Sequence, residues 1–401
     1  MLNNWLFFTI CLVLVLGQLL RFEPLPNIAL YPHDLLIGVF LLVNSKIFIK
    51  KSVSKWRTRA FYNRHRQLIW LIGWLGLTGV LKLLISGQPT CLLYLARYFF
   101  YGTFLYLFSL FIQLKPIKFK VTRIRPTVVL FAQHLPLFFG LVALAMFVIQ
   151  PDMRFFRSLG WDDHYYRLTG TLLDPNYTGI ILAIGALITI KTTFFPSLTM
   201  TKHKLLQFFE STALLITLTL TYSRSSWLAF TFGLIIFLIA MKKGRDLNLP
   251  KVALIFTLIV TIMFSTFALA PKPGGEGVNL KRVYSLESRQ LFDQQWLNSE
   301  SVRPLNLVLG PSQAPKSNTH ARLPNNLFIT IFAWSGPIGV LLFLGVLIEL
   351  VYKNRRLPIF LGTLVALLVF AQFNSITEPF VILIIGTLLV IEKNFSPAVT
   401  A

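Results

Sequence analysis

Two arginines stand where apolar sequence surrounds a short polar stretch. Arg224 lies in "LTLTYSRSSWLAF" (218–230), inside a segment that is apolar from 205 to 241. Arg289 lies in "SLESRQLFDQQWLN" (285–298). A guanidinium is permanently charged and presents a planar fork of donors that matches two phosphate oxygens. Held in place, it stabilises negative charge that grows on a leaving group. Arg322, in "NTHARLPNN" (318–326), is a further anion-binding candidate. So is Arg97, in "LARYFFYG" (95–102), which sits in an apolar span and must face protein or a water-filled cleft. Arg97 can line a phosphate site or a lipid entry path, or form a structural pair. Lys82 is near a span end and is expected to snorkel to the interface, and Glu210 is an available partner for a cation inside the membrane.

No metal chemistry is expected. Asp162, Asp163 and His164 are adjacent, so their side chains diverge, and no second cluster has ligand spacing. Cys11 and Cys91 fall in apolar spans and read as small buried hydrophobes.

The elements that carry these residues belong to a membrane protein. The chain has 401 residues, 55% hydrophobic and 13% charged. A soluble domain is usually about 25% charged. Twelve predicted spans lie at 4–20, 34–49, 67–86, 91–114, 127–149, 176–194, 205–222, 225–241, 252–270, 327–350, 358–373 and 379–392. The first resembles a signal peptide but lacks a basic start and a small-residue cleavage site, so it is expected to stay. The expected fold is an all-α polytopic membrane protein forming one integral unit over 1–401.

The net charge of +23 is not a nucleic-acid footprint, because the basic residues collect at span ends. They cluster in 46–66, 115–125, 191–204, 242–251 and 353–356, which the positive-inside rule assigns to the cytoplasm together with both termini. The loops at 191–204 and 242–251 are then on the same side, so the chain between them crosses twice. The segment around Arg224 is a hairpin with its turn at 222–226, and Arg224 lies at the outer face. Ser225 or Ser226 is expected to cap the second helix, and Arg224 also suits the negative C-terminal end of the first. By the same parity 271–326 is a large outer loop between the ninth and tenth spans, with a helix over 285–298.

Four stretches, "RLTGTLLDPNYTGIILA", "TYSRSSWLAF", "SLESRQLFDQQWL…LVLGPSQ" and "PNNLFITIFAWSGPIGVLLFLG", together resemble the O-antigen ligase and polymerase superfamily of bacterial surface-polysaccharide enzymes. Their order and the twelve-span topology match that family. The resemblance implies a metal-independent and cofactor-free glycosyltransferase in the bacterial inner membrane, working on the periplasmic face. The donor is a glycan on undecaprenyl pyrophosphate. The acceptor is the lipid A core or another lipid-linked repeat; some relatives use a protein. By the same resemblance Arg224 and Arg289 hold the pyrophosphate.

The acceptor hydroxyl must lose a proton, which calls for a general base. Here the chain departs from the family, since ligase-like relatives carry His-Asn where it has Asn325-Asn326. Asparagine is no base near neutral pH. His320, five residues upstream, is the nearest candidate, with Asp293, Glu287, Glu300 and His164 as others. Asn325 and Asn326 can bond sugar hydroxyls or cap the tenth span. Two rival readings are a flippase for lipid-linked oligosaccharides, which predicts inverted repeats and charges along mid-membrane, and a non-catalytic partner in polysaccharide assembly. No repeat is visible, and the charges gather in the outer loop.

Overall fold

A computed structural model describes residues 2–25, 28–56, 59–87, 90–113, 126–159, 163–195, 204–242, 248–273, 278–280, 284–298, 308–310, 324–374 and 379–395. His320, Arg322 and Glu300 lie outside the described residues. The described chain is almost wholly helical. Its helices are α1 (Leu2–Leu16), α2 (Pro32–Val43), α3 (Ser45–Trp56), α4 (Arg59–Ser86), α5 (Thr90–Gln113), α6 (Pro126–Gln133), α7 (Leu135–Ile149) and α8 (Pro175–Phe194). They continue as α9 (Lys204–Leu220), α10 (Arg224–Lys242), α11 (Leu249–Leu269), α12 (Tyr284–Asn298), α13 (Leu327–Asn354), α14 (Pro358–Phe370) and α15 (Pro379–Phe395). A short antiparallel hairpin, β1 (Phe22–Leu25) and β2 (Ile28–Leu30), joins α1 to α2.

Among the described residues, seven helices are long and apolar enough to cross a bilayer, with an eighth if the bent pair α6–α7 counts as one. The protein is therefore a membrane-embedded helical bundle. The other predicted spans are helical but shorter. A 17-residue helix such as α9 or α15 is about 25 Å long, under the roughly 30 Å of a hydrocarbon core. The predicted span at 34–49 breaks at Asn44, whose amide bonds the Phe40 carbonyl at 2.7 Å and pairs with Asn3. The span at 127–149 bends by 52° at His134, just before Pro136, which has no N–H to continue the ladder.

Helix α8 is the centre. It is buried along most of its length and touches α7, α9, α10, α14 and α15. Gly233 of α10 and Gly362 of α14 let those two helices meet backbone to backbone; a Cβ on Gly233 would sit 2.8 Å from the Gly362 carbonyl. The far side of the bundle is built by α4 against α5 and α13.

Helix α13 is broken at Gly336, where φ is +64°, and Pro337 follows. The break orphans carbonyls that α4 then satisfies. Pro337 has no N–H to offer Ala333, and the Lys82 ammonium bonds the Ala333 carbonyl instead. Trp74 Nε1 donates to the Ser335 carbonyl at 2.8 Å. Lys82 thus does not snorkel as expected; it is buried at 6% exposure because a carbonyl inside the protein needs its proton. Residues 308–310 pack into the same break. A Cβ on Gly310, where φ is +80°, would lie 2.1 Å from the Phe332 carbonyl oxygen.

Replacing Lys82 with Met keeps the apolar stem and leaves the Ala333 carbonyl buried without a donor. The expected loss is about 1–3 kcal/mol, read as a lower unfolding midpoint in detergent. An unchanged midpoint would show that the break is satisfied some other way.

Candidate functional site

Hydrogen bonds link the starts of α8 and α10 to α12, and α12 to the start of α13; residues 308–310 instead pack at the Gly336 break of α13. Asp174 caps α8: its Oδ1 accepts from the Asn176 and Tyr177 amides at 2.6 and 3.0 Å, with Pro175 at the first helical position. The freed Asn176 side chain turns toward the hairpin between α9 and α10.

That hairpin is real and tighter than expected. Only Thr221, Tyr222 and Ser223 separate the two helices, and Tyr222 takes a left-handed conformation, φ 50°. Ser223, one turn earlier than Ser226, occupies the cap: its carbonyl accepts from the Trp227 amide at 3.0 Å and its Oγ lies 3.4 Å from the Ser226 amide. The last carbonyls of α9 are answered across space. Arg167 Nε donates to Thr221 O at 3.0 Å, the Leu168 amide to Leu220 O at 2.9 Å, and Trp227 Nε1 to Leu218 O at 3.0 Å.

A directed chain of hydrogen bonds links the motifs. Arg289 Nη1, on α12, donates to Phe373 O at 2.7 Å and to Asn374 Oδ1 at 3.1 Å. Asn374 Nδ2 donates to Ser225 Oγ at 2.9 Å. Ser225 Oγ lies 3.2 Å from Ser223 Oγ. Ser223 gives its single proton to Asn176 Oδ1 at 2.9 Å, so the proton between the two serines comes from Ser225. Ser226 Oγ closes the cluster on the Asn176 carbonyl at 3.0 Å. A Cβ on Gly179 would lie 2.5 Å from Ser226 Oγ, so this approach of α10 to α8 requires glycine there. Ser223 and Ser226 are fully buried.

Arg224 opens α10 one residue from Ser225, half-buried, and donates to the Leu280 carbonyl at 3.1 Å. Three helices, α8, α10 and α13, therefore begin at or beside the two guanidiniums. Helix starts carry partial positive charge, which the Asp174 carboxylate offsets at α8 and which the neutral caps Ser223 and Asn326 leave in place at α10 and α13.

Asn326 is the cap of α13. Its Oδ1 accepts from the Phe328 amide at 2.8 Å, and its Nδ2 donates to Gln372 Oε1 at 3.0 Å. Its side chain is committed to structure rather than to a reacting hydroxyl. Asn325 offers its backbone amide to Asp293 Oδ1 at 2.8 Å. Asp293 is one helical turn past Arg289 on α12, so cation and carboxylate share a face. Burial pushes the Asp293 carboxyl above its usual range, opposed by the Asn325 amide and the Arg289 charge. Among the other base candidates, Glu287 is exposed and His164 is buried.

Arg97 takes the structural option. It pairs with Asp34 at 2.7 Å and donates to the Ala29 carbonyl at 2.7 Å, while Tyr101 donates to Asp34 at 2.6 Å. No described hydrogen bond joins it to the Arg224–Arg289 cluster. Glu210 is also distant from that cluster, and its partner is His134 at 2.9 Å. Sequence reasoning missed Asn374 and Ser223. Asn374 sits just past an apolar run and carries no pattern that distinguishes it from a helix end.

No family model, curated protein or solved structure matches the chain.

Asn374→Leu removes both links between Arg289 and Ser225. The expected cost is about 1–3 kcal/mol from polar groups left unpaired, seen as a lower thermal midpoint in detergent. A midpoint equal to wild type would mean that the chain contributes nothing to stability.

Proposed function

We propose that this protein is a glycosyltransferase resembling the O-antigen ligases and polymerases. It takes a glycan from undecaprenyl pyrophosphate in the bacterial inner membrane. The observation that carries this reading is the hydrogen-bonded chain from Arg289 through Asn374 and Ser225 to Ser223 and Asn176, which joins stretches far apart in sequence. Arg224 and Arg289 bind the pyrophosphate in the half-buried setting of the cluster, where charge is screened less than in water. The N-termini of α10 and α13, capped by neutral side chains, add to the same field. As the glycosidic bond breaks, negative charge grows on the leaving pyrophosphate, and guanidiniums already in place stabilise it without a metal.

Asp293 takes the acceptor proton. Its carboxylate is oriented by the Asn325 amide and stands one turn from Arg289. A carboxylate with a raised pKa is the better base. The active face is periplasmic, both termini are cytoplasmic, twelve segments span the membrane and 271–326 forms the periplasmic loop. The acceptor is the lipid A core or another lipid-linked repeat, and the glycolipid profile of a deletion strain separates the two. Bare core with accumulated lipid-linked polymer marks a ligase; core with one repeat marks a polymerase.

Arg224→Lys and Arg289→Lys keep charge and lose the fork. Each is expected to slow transfer by about 10²–10³-fold, the usual cost of losing one preorganised donor. Normal surface glycan in both variants would overturn the pyrophosphate role. Asp293→Asn is expected to keep binding of the lipid pyrophosphate and to lose transfer by about 10²–10⁴-fold. The base works only deprotonated, so the wild-type rate falls as pH drops through the raised Asp293 pKa. An Asp293→Asn variant with the wild-type rate and pH profile would remove Asp293 from the reaction.

A further inference from the structure

The opposite end of the bundle holds a second polar site. A cavity of about 160 Å³ lies where α6, α9 and α15 meet the C-terminal end of α8. One water needs about 10–15 Å³ of such space, so the cavity takes something larger. Two side-chain oxygens on its wall, Gln207 Oε1 and Glu210 Oε1, are buried and accept no hydrogen bond from a described residue. Gln207 is 8% and Glu210 3% exposed. The other Glu210 oxygen is held by His134 Nδ1 at 2.9 Å.

The hydroxyls on the wall are donors elsewhere. Thr189 points its proton at the Gly185 and Ala186 carbonyls, both at 3.1 Å, and Thr192 at the Thr189 carbonyl at 3.0 Å. With their protons given to these carbonyls, both hydroxyls have only lone pairs to offer a ligand. Lys191, beside them, is paired with Glu392. The wall is thus rich in acceptors, and one of them is a carboxylate oxygen. Leaving such an oxygen buried without a donor is costly. A compact cation with several N–H donors would meet that demand. Gln133 and the Lys191-paired Glu392 also line the wall; the remainder, Leu130, Ile188, Leu206, Leu388 and Ile391, is apolar, and Leu130 and Leu206, with Leu205 and Phe209 beside them, are exposed on the bundle surface. An apolar rim on a membrane protein opens toward acyl chains rather than water.

We infer that this cavity binds the primary ammonium head group of an ethanolamine phospholipid. Its three N–H donors are shared among Glu210, Gln207 and the threonine oxygens. The site is separate from the Arg224–Arg289 cluster and does not depend on the reaction proposed for it.

The test is lipid retention by the full-length protein in nanodiscs holding equal parts ethanolamine, choline and glycerol phospholipids, read by native mass spectrometry. The choline head group has the same positive charge and no N–H. The ethanolamine lipid is expected to be retained over the choline lipid by at least about tenfold, the equivalent of one charge-assisted hydrogen bond. Glu210→Gln and Gln207→Leu are each expected to lower that preference. Should Glu210→Gln fail to fold for want of its His134 pair, Gln207→Leu carries the test alone. Equal retention of the three lipids, or a preference unchanged by Gln207→Leu, overturns the inference. Displacement of the bound lipid by millimolar free ethanolamine would assign the site to a soluble amine and overturn the lipid assignment.

Discussion

Every break in a helix inside hydrocarbon exposes peptide groups that water cannot reach, so each break must find a partner within the protein. This constraint organises the bundle. Where Gly336 and Pro337 interrupt α13, Lys82 and Trp74 of α4 take the orphaned carbonyls. Where α9 ends, Arg167 and Trp227 take the carbonyls of Thr221 and Leu218. Where α2 gives way to α3, Asn44 bonds Phe40 and Asn3. A cationic or amide side chain sits at each of these three interruptions because those groups carry protons to give.

The same interruptions create the candidate site. A continuous helix through 205–241 would spend its amides on itself. The turn at Thr221–Ser223 instead frees the start of α10, brings Ser223, Ser225 and Ser226 against Asn176, and sets Arg224 at the helix origin. The chain of bonds from Arg289 runs in one direction, with each donor polarised by the one before it. Gly179 matters for the same reason, since any side chain there would push Ser226 off α8. Packing and electrostatics are thus coupled: the glycine that admits the close approach also fixes the polar chain.

The location of the helices could be read from the chain, and so could the place of the hairpin. Each of the twelve predicted segments is helical, because long apolar runs in a membrane have no other way to satisfy their backbone. The charge pattern of two basic loops was enough to divide 205–241 into two helices. What local pattern could not decide was which residue does which task at a helix start. Ser223, Ser225 and Ser226 are equally good caps by type, and so are Asp174 and Asn176; only the backbone path selects Ser223 and Asp174 and leaves the others to bond across helices.

The sequence by itself determined a membrane-embedded helical bundle, the hairpin at Arg224 and the helix that carries Arg289, because hydropathy, charge and helical period are local quantities. The tertiary structure decided the rest. It gave Arg97 to Asp34 and Lys82 to Ala333, made Asn326 a cap, and brought Asp293 to the Asn325 amide. It also joined Asn374 to Arg289, through a contact spanning 85 positions that no local pattern encodes. A charged group inside a membrane is assigned its role by whichever unpaired partner the fold brings within reach, and that depends on packing between helices distant in sequence.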